Sequence, residues 1–352
     1  MPNITVHKID QNRAPEWDAY AMQSDHATAY HLFAWGQAVE AAYGYICHYF
    51  IAQRDGSTVG ILPLVEMRSL NLQKLLCALP YCDVGGPVAD SEEISICLTE
   101  HALDFAKASR ISNIELRSSS RSLVEVQDTL PGKKVRMMLS LPDSSDGLMA
   151  QFKSKLRSQI RKAEKNGLVA EVSHYPQGSN EREEFYNIIS SNMRNLGSPV
   201  HSFAWYEEVL EAYKDRAFIS LVRFEGKAVG AALVLACGQR AVIPWASTLA
   251  EYNRLAPNML LYWSVLSEAV KIGASNFDFG RSTVGEGTFN FKKQWGCKAQ
   301  ALEWVSYSSG NKLQASNDTK GKGRIIVERI WKRLPLAVSN TIGPHLRKHI
   351  SL

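Results

Sequence analysis

Two stretches of this chain, 170 residues apart, carry the same pattern. Residues 49–64 read YFIAQRDGSTVGILPL, and residues 218–235 read FISLVRFEGKAVGAALVL. Each is an apolar run, a charged-Gly turn and a second apolar run, which is the pattern of a β-hairpin. Further on, RISNIELRSS at 110–119 is answered by GASNFDFGRST at 273–283. Gly60 and Gly230 occupy matching places, so one α/β unit has been duplicated. Only the second copy runs on into GRSTVGEGTFNFKKQWG (280–296), dense in glycine, charge and aromatics. That asymmetry assigns support to the first half and chemistry to the second.

The length of 352 residues allows two domains, each with a core of its own. The longest apolar run, VGAALVLAC (229–237), is about half of the ~18–20 residues that span a bilayer. The first thirty residues carry His7, Lys8, Asp10, Glu16 and Asp18 and no apolar signal core, so a cytoplasmic location is expected. The six cysteines (47, 77, 82, 97, 237, 297) form no C-x-x-C pair and read as buried free thiols. No metal-ligand spacing, Walker A loop, H-E-x-x-H, G-x-S-x-G or dinucleotide G-x-G-x-x-G occurs. Metal catalysis and P-loop hydrolysis are therefore set aside, and no tightly bound cofactor is expected. From Lys320 onward eight Lys/Arg stand against Glu328 alone, +7, which leaves −2 of the net +5 for everything before it. The charge describes a basic tail, not a globally basic nucleic-acid binder.

The expected organisation is a first unit over 1–142, a second over 143–307, and a linker with a basic tail helix over 308–352. In the second unit a helix is expected over 147–166. Leu148, Phe152, Leu156 and Ile160 recur every four residues and face a core. Lys153, Arg157, Arg161 and Lys165 recur one position on and form a basic stripe, either a phosphate-binding face or a merely solvated one. A helix from Pro257 and a strand NFDF (276–279) follow. In the tail, RIIVERIWKRL (324–334) sets Ile326, Ile330, Trp331 and Leu334 beside Arg324, Arg329, Lys332 and Arg333. Such a helix lies on an anionic membrane surface or docks on the protein's own core.

LMAQFKSKLRSQIRKAEKNGL (148–168) resembles the K-x-R-x-x-I-R-K-A-x-x-x-G signature of the FemAB/FemX peptidyl-bridge aminoacyltransferases and of the BioF2-like acetyltransferase domains. YCDVGGPVAD (81–90) is similar to their GPV-x-D segment, and FNFKKQWG (289–296) to their F-K-x-x-F/W-G segment. PWAS (244–247), PNMLLYW (257–263) and FDFGRST (277–283) resemble the FemAB-like proteins encoded with PEP-CTERM/exosortase exopolysaccharide systems. The resemblance covers roughly residues 30–305. It implies tandem GNAT-like (acyl-CoA N-acyltransferase) domains, α/β in class, with mixed sheets flanked by helices. It also implies an acyltransferase that forms an amide on an amino group of a small-molecule or lipid-linked cell-envelope precursor, at or near the inner membrane face.

In GNAT folds the donor phosphates rest on a glycine loop at a helix start. In the equivalent stretch here, EYNRLAPNMLLYW (251–263), Arg254 is followed by Pro257 and Asn258 in place of glycines. This altered loop leaves two donors open: aminoacyl-tRNA, with tRNA as a partner, or acyl-CoA. Lys292 matches the family's F-K lysine, whose implied role is to stabilise the oxyanion of the tetrahedral intermediate. Asp278, Arg281 and Ser282 lie where a strand leaves the sheet, the place where open α/β sheets bind ligands. Asp278 is a candidate for the amine proton, or for an ion pair with Arg281. Arg281 is a candidate for holding a phosphate or carboxylate, and Glu286 is a reserve base in a mobile Gly-Glu-Gly loop. Trp245, Tyr252 and Asn258 are candidate donor contacts, against the alternative that the aromatics are core. The rival readings are an acyl-CoA-dependent sugar-amine acetyltransferase of exopolysaccharide synthesis and a non-catalytic scaffold for such an intermediate or for membrane.

Overall fold

The structure, a computed structural model, describes residues 4–126, 131–175, 179–313 and 322–352. The chain divides into two compact units. The first takes Met1–Leu123, Gln300–Asn317 and Lys348–Leu352, and the second takes Val124–Ala299 and Asp318–Arg347. Each is a mixed sheet flanked by helices, the tandem α/β architecture expected from the repeat.

The first unit runs β1 (Ile4–Ile9), α1 (Ala14–Gln23), α2 (Phe33–Tyr43), β2 (Ile46–Arg54), β3 (Ser57–Arg68), β4 (Lys74–Cys77), β5 (Val88–Ala89), α3 (Glu92–Ala108) and β6 (Asn113–Val124). β1 to β4 are antiparallel neighbours, and β4 then pairs in parallel with β6, Leu75–Cys77 against Asn113–Glu115, by way of α3. Asp55 and Gly56 both have positive φ, as a two-residue hairpin loop requires. Alternation splits β2 and β3 between two cores. Phe50, Ala52, Leu62 and Leu64 pack under α3, whose first turn is capped by Ser91. Ile51, Ile61 and Val65 are buried on the opposite face.

His48 on β2 is buried beside Phe105, with the Glu66 carboxylate 3.9 Å away. Burial lowers its pKa to about 4, Lys8 adds to that, and Glu66 opposes it. The unfolded chain then binds a proton that the folded one refuses. Stability is complete above about pH 6.5 and declines as pH falls toward 4. His48→Leu is expected to flatten this decline, measured as a smaller loss of Tm between about pH 7 and pH 4.5. An unchanged slope contradicts the assignment.

The second unit runs β7 (Lys134–Ser140), α4 (Ser145–Gln151), α5 (Ser154–Lys165), β8 (Leu168–His174), α6 (Ser179–Leu196), α7 (Phe203–Tyr213), β9 (Ala217–Phe224), β10 (Lys227–Cys237), β11 (Arg240–Thr248), α8 (Pro257–Lys271), β12 (Asn276–Thr283) and α9 (Gly287–Lys293). β13 (Lys298–Ser308) and β14 (Asn311–Lys312) return to the first unit, where β13 lies beside β6. α10 (Lys322–Trp331) and α11 (Leu336–Arg347) complete the second. The topology repeats: β8 to β11 are antiparallel neighbours, and β11 pairs in parallel with β12 by way of α8. β12 then pairs antiparallel with β7.

The duplication reaches a structural detail. In each hairpin the ladder slips by one residue at Val-Gly, between Ala52 and Gln53 opposite Gly60, and between Ala228 and Gly230. A bulge of this kind bends the strand, so the same bend recurs in both copies. At Gly60 a Cβ would come within 2.8 Å of Ile94 and 3.0 Å of Leu98, so the missing side chain lets α3 lie close to the sheet.

Two expected elements differ. The helix over 147–166 is two helices, because Phe152 and Lys153 are extended, with ψ of 144° and 147°. The break seats Phe152 against Trp263 and Trp295 while Leu148, Leu156 and Ile160 stay buried. It also takes Lys153 off the basic stripe and makes it the N-cap of α5. The tail helix ends at Trp331, and Trp331 is buried against Gly343 of a further helix, α11. Of the expected linker, residues 314–321 lie outside the described residues, as do the side chains of Arg324 and Ile326.

Candidate active site

The parallel ladder between β11 and β12 is only three residues long, Arg240–Val242 against Asn276–Asp278. Both strands then bulge. On β11 the pairing with β10 jumps from Val242 to Trp245, across Ile243 and Pro244. Pro244 has no N–H to give a ladder, which suits it to a bulge. On β12 the pairing with β7 jumps from Asp278 to Arg281, across Phe279 and Gly280. Gly280 has φ 73°, a left-handed conformation that glycine adopts without cost. The two strands therefore part just beyond Asp278 and leave a fork whose prongs are 244–248 and 279–283.

The second prong is held by a buried polar network. Asp278, 3% exposed, accepts from Arg136 Nε at 2.6 Å through Oδ2 and from the Gly280 N–H at 2.8 Å through Oδ1. Lys292 reaches back from α9. Its Nζ, on a side chain that is buried, donates to the carbonyls of Arg281 (2.9 Å) and Gly280 (3.2 Å). Ser282 is buried, and its Oγ has no hydrogen-bond partner among the described residues. Cys297 lies within the electrostatic reach of the same group. Burial pushes its thiol well up; the Lys292 charge opposes this and Asp278 reinforces it, so Cys297 stays protonated. Beneath lies an aromatic layer in which Tyr262 stacks on Phe279 (5.5 Å) and meets Phe291 (5.0 Å). Burial raises the Tyr262 hydroxyl as well.

Asp278, Arg281 and Ser282 share one strand end, as their sequence proximity indicated, and Lys292, singled out by the family resemblance, bonds the backbone there. The ion pair of Asp278 is with Arg136 of β7, a partner the two alternatives for Asp278 did not include. Sequence reading missed Arg136, although a charge between Val135 and Met137 was a signal that a buried partner existed. Glu286 is exposed and immediately precedes α9, without capping it through its side chain.

The other candidates lie in separate clusters. Trp245 packs against Trp205 (6.2 Å) and Tyr206 (5.0 Å) of α7. Tyr252 lies against Phe224, with Lys227 Nζ donating to its hydroxyl at 3.2 Å. Arg254 is exposed on a short 3-10 turn, and Asn258 is in the first turn of α8. Ala256, with φ 63°, begins the 15-residue α8 with no side-chain cap, and its carbonyl accepts the Met259 N–H at 3.0 Å. Arg157 bonds the Ala150 carbonyl at 3.3 Å, and Arg161 is exposed. Among the described residues no group of three or more His, Cys, Asp or Glu is placed to hold a metal ion.

Residues 150–293 match the family described as acetyltransferase (GNAT) domain. No curated protein matches the sequence. The fold is similar to that of FemX, with a TM-score of 0.67 at 15% identity over 87% of this chain and 98% of that one. It is similar to the C-terminal domain of a putative lysylphosphatidylglycerol synthetase from Agrobacterium fabrum (TM-score 0.53, 14% identity, 87% and 93% covered). A tandem GNAT protein from the clavulanic acid biosynthesis pathway gives a TM-score of 0.52 at 10% identity, with 88% and 99% covered. The forked sheet of the second unit accordingly lies within the residues that match an acetyltransferase (GNAT) domain, in a chain whose fold is similar to that of a tandem GNAT protein.

Proposed function

We propose that this chain is a FemAB-like transferase that moves an acyl or aminoacyl group onto an amino group of a cell-envelope or exopolysaccharide precursor, of the branch encoded with PEP-CTERM/exosortase systems. The observation that carries the reading is the fork, with a buried lysine ammonium fixed at the end of one prong. An amide forms as the amine attacks the donor carbonyl, the ester or thioester bond breaks, and the amine proton ends on the departing hydroxyl or thiol. Lys292 donates to the developing oxyanion, the charge a preorganised donor stabilises best. Asp278 has both oxygens engaged, so its work is to hold the bulge through Arg136 and Gly280, with any proton transfer costing that ion pair. Arg281 meets the anionic part of a substrate. Ser282 is buried beside them, and its hydroxyl has no partner among the described residues.

The donor favoured is an aminoacyl-tRNA. The start of α8 lacks the glycine loop that cradles coenzyme A phosphates, and Arg157 and Arg161 give a basic flank on α5. Tyr252, Arg254 and Asn258 stand around that helix start, with Trp245 on the first prong. The second reading, an acyl-CoA-dependent sugar-amine acetyltransferase, draws on the start of α8, which has no side-chain cap, as the place for the donor phosphates. No described helix is long and apolar enough to cross a membrane. Val327 and Ile330 are each 59% exposed beside Arg329 and Lys332, which supports a cytoplasmic chain resting on an anionic inner surface. The purified chain, offered charged tRNA and acyl-CoA with amino-sugar and peptide acceptors, is expected to form amide from charged tRNA and to lose that activity to RNase. Transfer that withstands RNase and consumes acyl-CoA favours the second reading. Failure with every donor, together with specific binding of the acceptor, points to a scaffold.

A further inference from the structure

The polar network of the fork has a counterpart in the first unit. SNIE (112–115) aligns with SNFD (275–278), so Glu115 holds the place of Asp278. The parallel ladder is again three residues long, Leu75–Cys77 against Asn113–Glu115, in the same register as Arg240–Val242 against Asn276–Asp278. Glu115 also has an arginine partner, Arg117, whose Nη2 lies 2.6 Å from its Oε1. Beyond the ladder the two copies diverge. In the first, Gly85 and Gly86 turn back and give both N–H groups to the Arg117 carbonyl, at 2.9 and 2.7 Å. A Cβ would come within 2.5 Å of the Ala78 carbonyl at Gly85 and within 2.9 Å of the Arg117 carbonyl at Gly86, so only glycine closes the gap in this way.

A piece of the chain itself lies against this copy: residues 348–352, which belong to the first unit. The Lys348 carbonyl accepts from the hydroxyls of Tyr81 (2.7 Å) and Tyr45 (3.1 Å). The Ser351 carbonyl accepts from the Tyr81 N–H (2.7 Å) and from Arg117 Nη1 (2.8 Å). The Ser351 hydroxyl donates to Glu115 Oε2 at 3.1 Å. Two main-chain carbonyls thus take four donors, while the five residues that carry them stay half-buried. The groove is built without those residues. Arg117, 0% exposed, is fixed by Glu115, by the Cys82 carbonyl at 2.9 Å and by the Trp304 ring. The loop that supplies Tyr81 is pinned at Pro80 by the Trp35 indole and at Gly86 by His31. Leu79 and Tyr81, with φ 55° and 68°, hold the left-handed conformation that non-glycine residues avoid. Such strain persists only where its surroundings enforce it, and ligand clamps are among the places where it collects. Here it accompanies an N–H directed at the Ser351 carbonyl.

We infer that this groove is a peptide-binding site of the first unit, and that residues 348–352 are its tethered occupant. It recognises main chain: one carbonyl between the two tyrosine hydroxyls, and a second, three residues on, between the Tyr81 N–H and Arg117. A hydroxyl at that second residue meets Glu115. While 348–352 is in place the groove is closed to other peptides, and once it is vacated the groove takes one from outside. The site is independent of the chemistry in the second unit, and the two readings fail separately.

The test compares the full chain with one ending at Arg347, each titrated calorimetrically with the acetylated pentapeptide KHISL. The shortened chain should stay folded by circular dichroism and bind one peptide. The full chain should bind it at least tenfold more weakly, because a tethered copy competes at an effective concentration on the order of mM. Tyr45→Phe/Tyr81→Phe in the shortened chain keeps both rings and removes both hydroxyl donors, and should weaken binding roughly tenfold, as the loss of two hydrogen bonds implies. In the full chain the same pair of substitutions should speed amide exchange at position 81 several-fold, because the N–H there is held by Ser351. A folded shortened chain that ignores the peptide overturns the site, and so does equal binding by the two chains. Binding indifferent to the tyrosine substitutions, or unchanged exchange at position 81, also overturns it. A shortened chain that fails to fold makes 348–352 part of the core, and the proposal falls with it.

Discussion

Lys292→Met is expected to lower kcat for amide formation by about 10²–10³-fold, the usual cost of removing one oxyanion donor. KM for the donor should change little, because the interaction belongs to the transition state. Lys292 also holds the carbonyls of Gly280 and Arg281 at 3.2 and 2.9 Å, so a loss of activity alone does not separate chemistry from scaffolding. Two readouts do. A purely structural role predicts that activity falls in step with the folded fraction, whereas the proposed role predicts a folded, inactive protein. Lys292→Arg keeps the charge and can keep the carbonyl bonds, but it moves the donor atoms. It should restore stability while recovering only a small part of kcat. Full activity in a folded Lys292→Met variant contradicts the assignment.

The second large effect is on stability. Arg136→Met leaves the Asp278 carboxylate buried without its cationic partner, and breaking a buried pair in this way costs about 3–5 kcal/mol. For a unit of this size that amounts to a fall in Tm of roughly 6–20 °C. The double variant Arg136→Met/Asp278→Leu removes both charges together and should regain most of the loss, since an apolar pair of similar volume is often nearly neutral. Thermal unfolding of the two variants beside the parent decides the point. A single variant as stable as the parent means the pair is not what holds the bulge at Phe279–Gly280. A double variant that recovers stability without activity shows that the bulge positions the fork in addition to bracing it.

Much of the fold was legible because it is written twice. The Val59-Gly60 and Val229-Gly230 hairpins announce themselves by alternation and turn residues, and the structure gives each the same bulge. The strand end at Asp278–Ser282 was legible for the same reason, since polar residues interrupt an apolar strand. Helix continuity across Phe152 was not, because a spacing of four residues persists through a break when the aromatic is seated by Trp263 and Trp295. α11 was missed because it lies between two prolines: Pro335 precedes its first residue and Pro344 lies in its last turn. The partner of Asp278 was out of reach, because register between β12 and β7, 142 residues apart, is set by tertiary pairing and leaves no local mark.

A crystal structure of the chain with a non-hydrolysable aminoacyl or acyl donor tests the central claim most directly. The donor's carbonyl oxygen should lie within about 3 Å of Lys292 Nζ, between the prongs beyond Val242 and Asp278. A donor bound with its carbonyl elsewhere, and Lys292 still engaged with Gly280 and Arg281, would contradict the account.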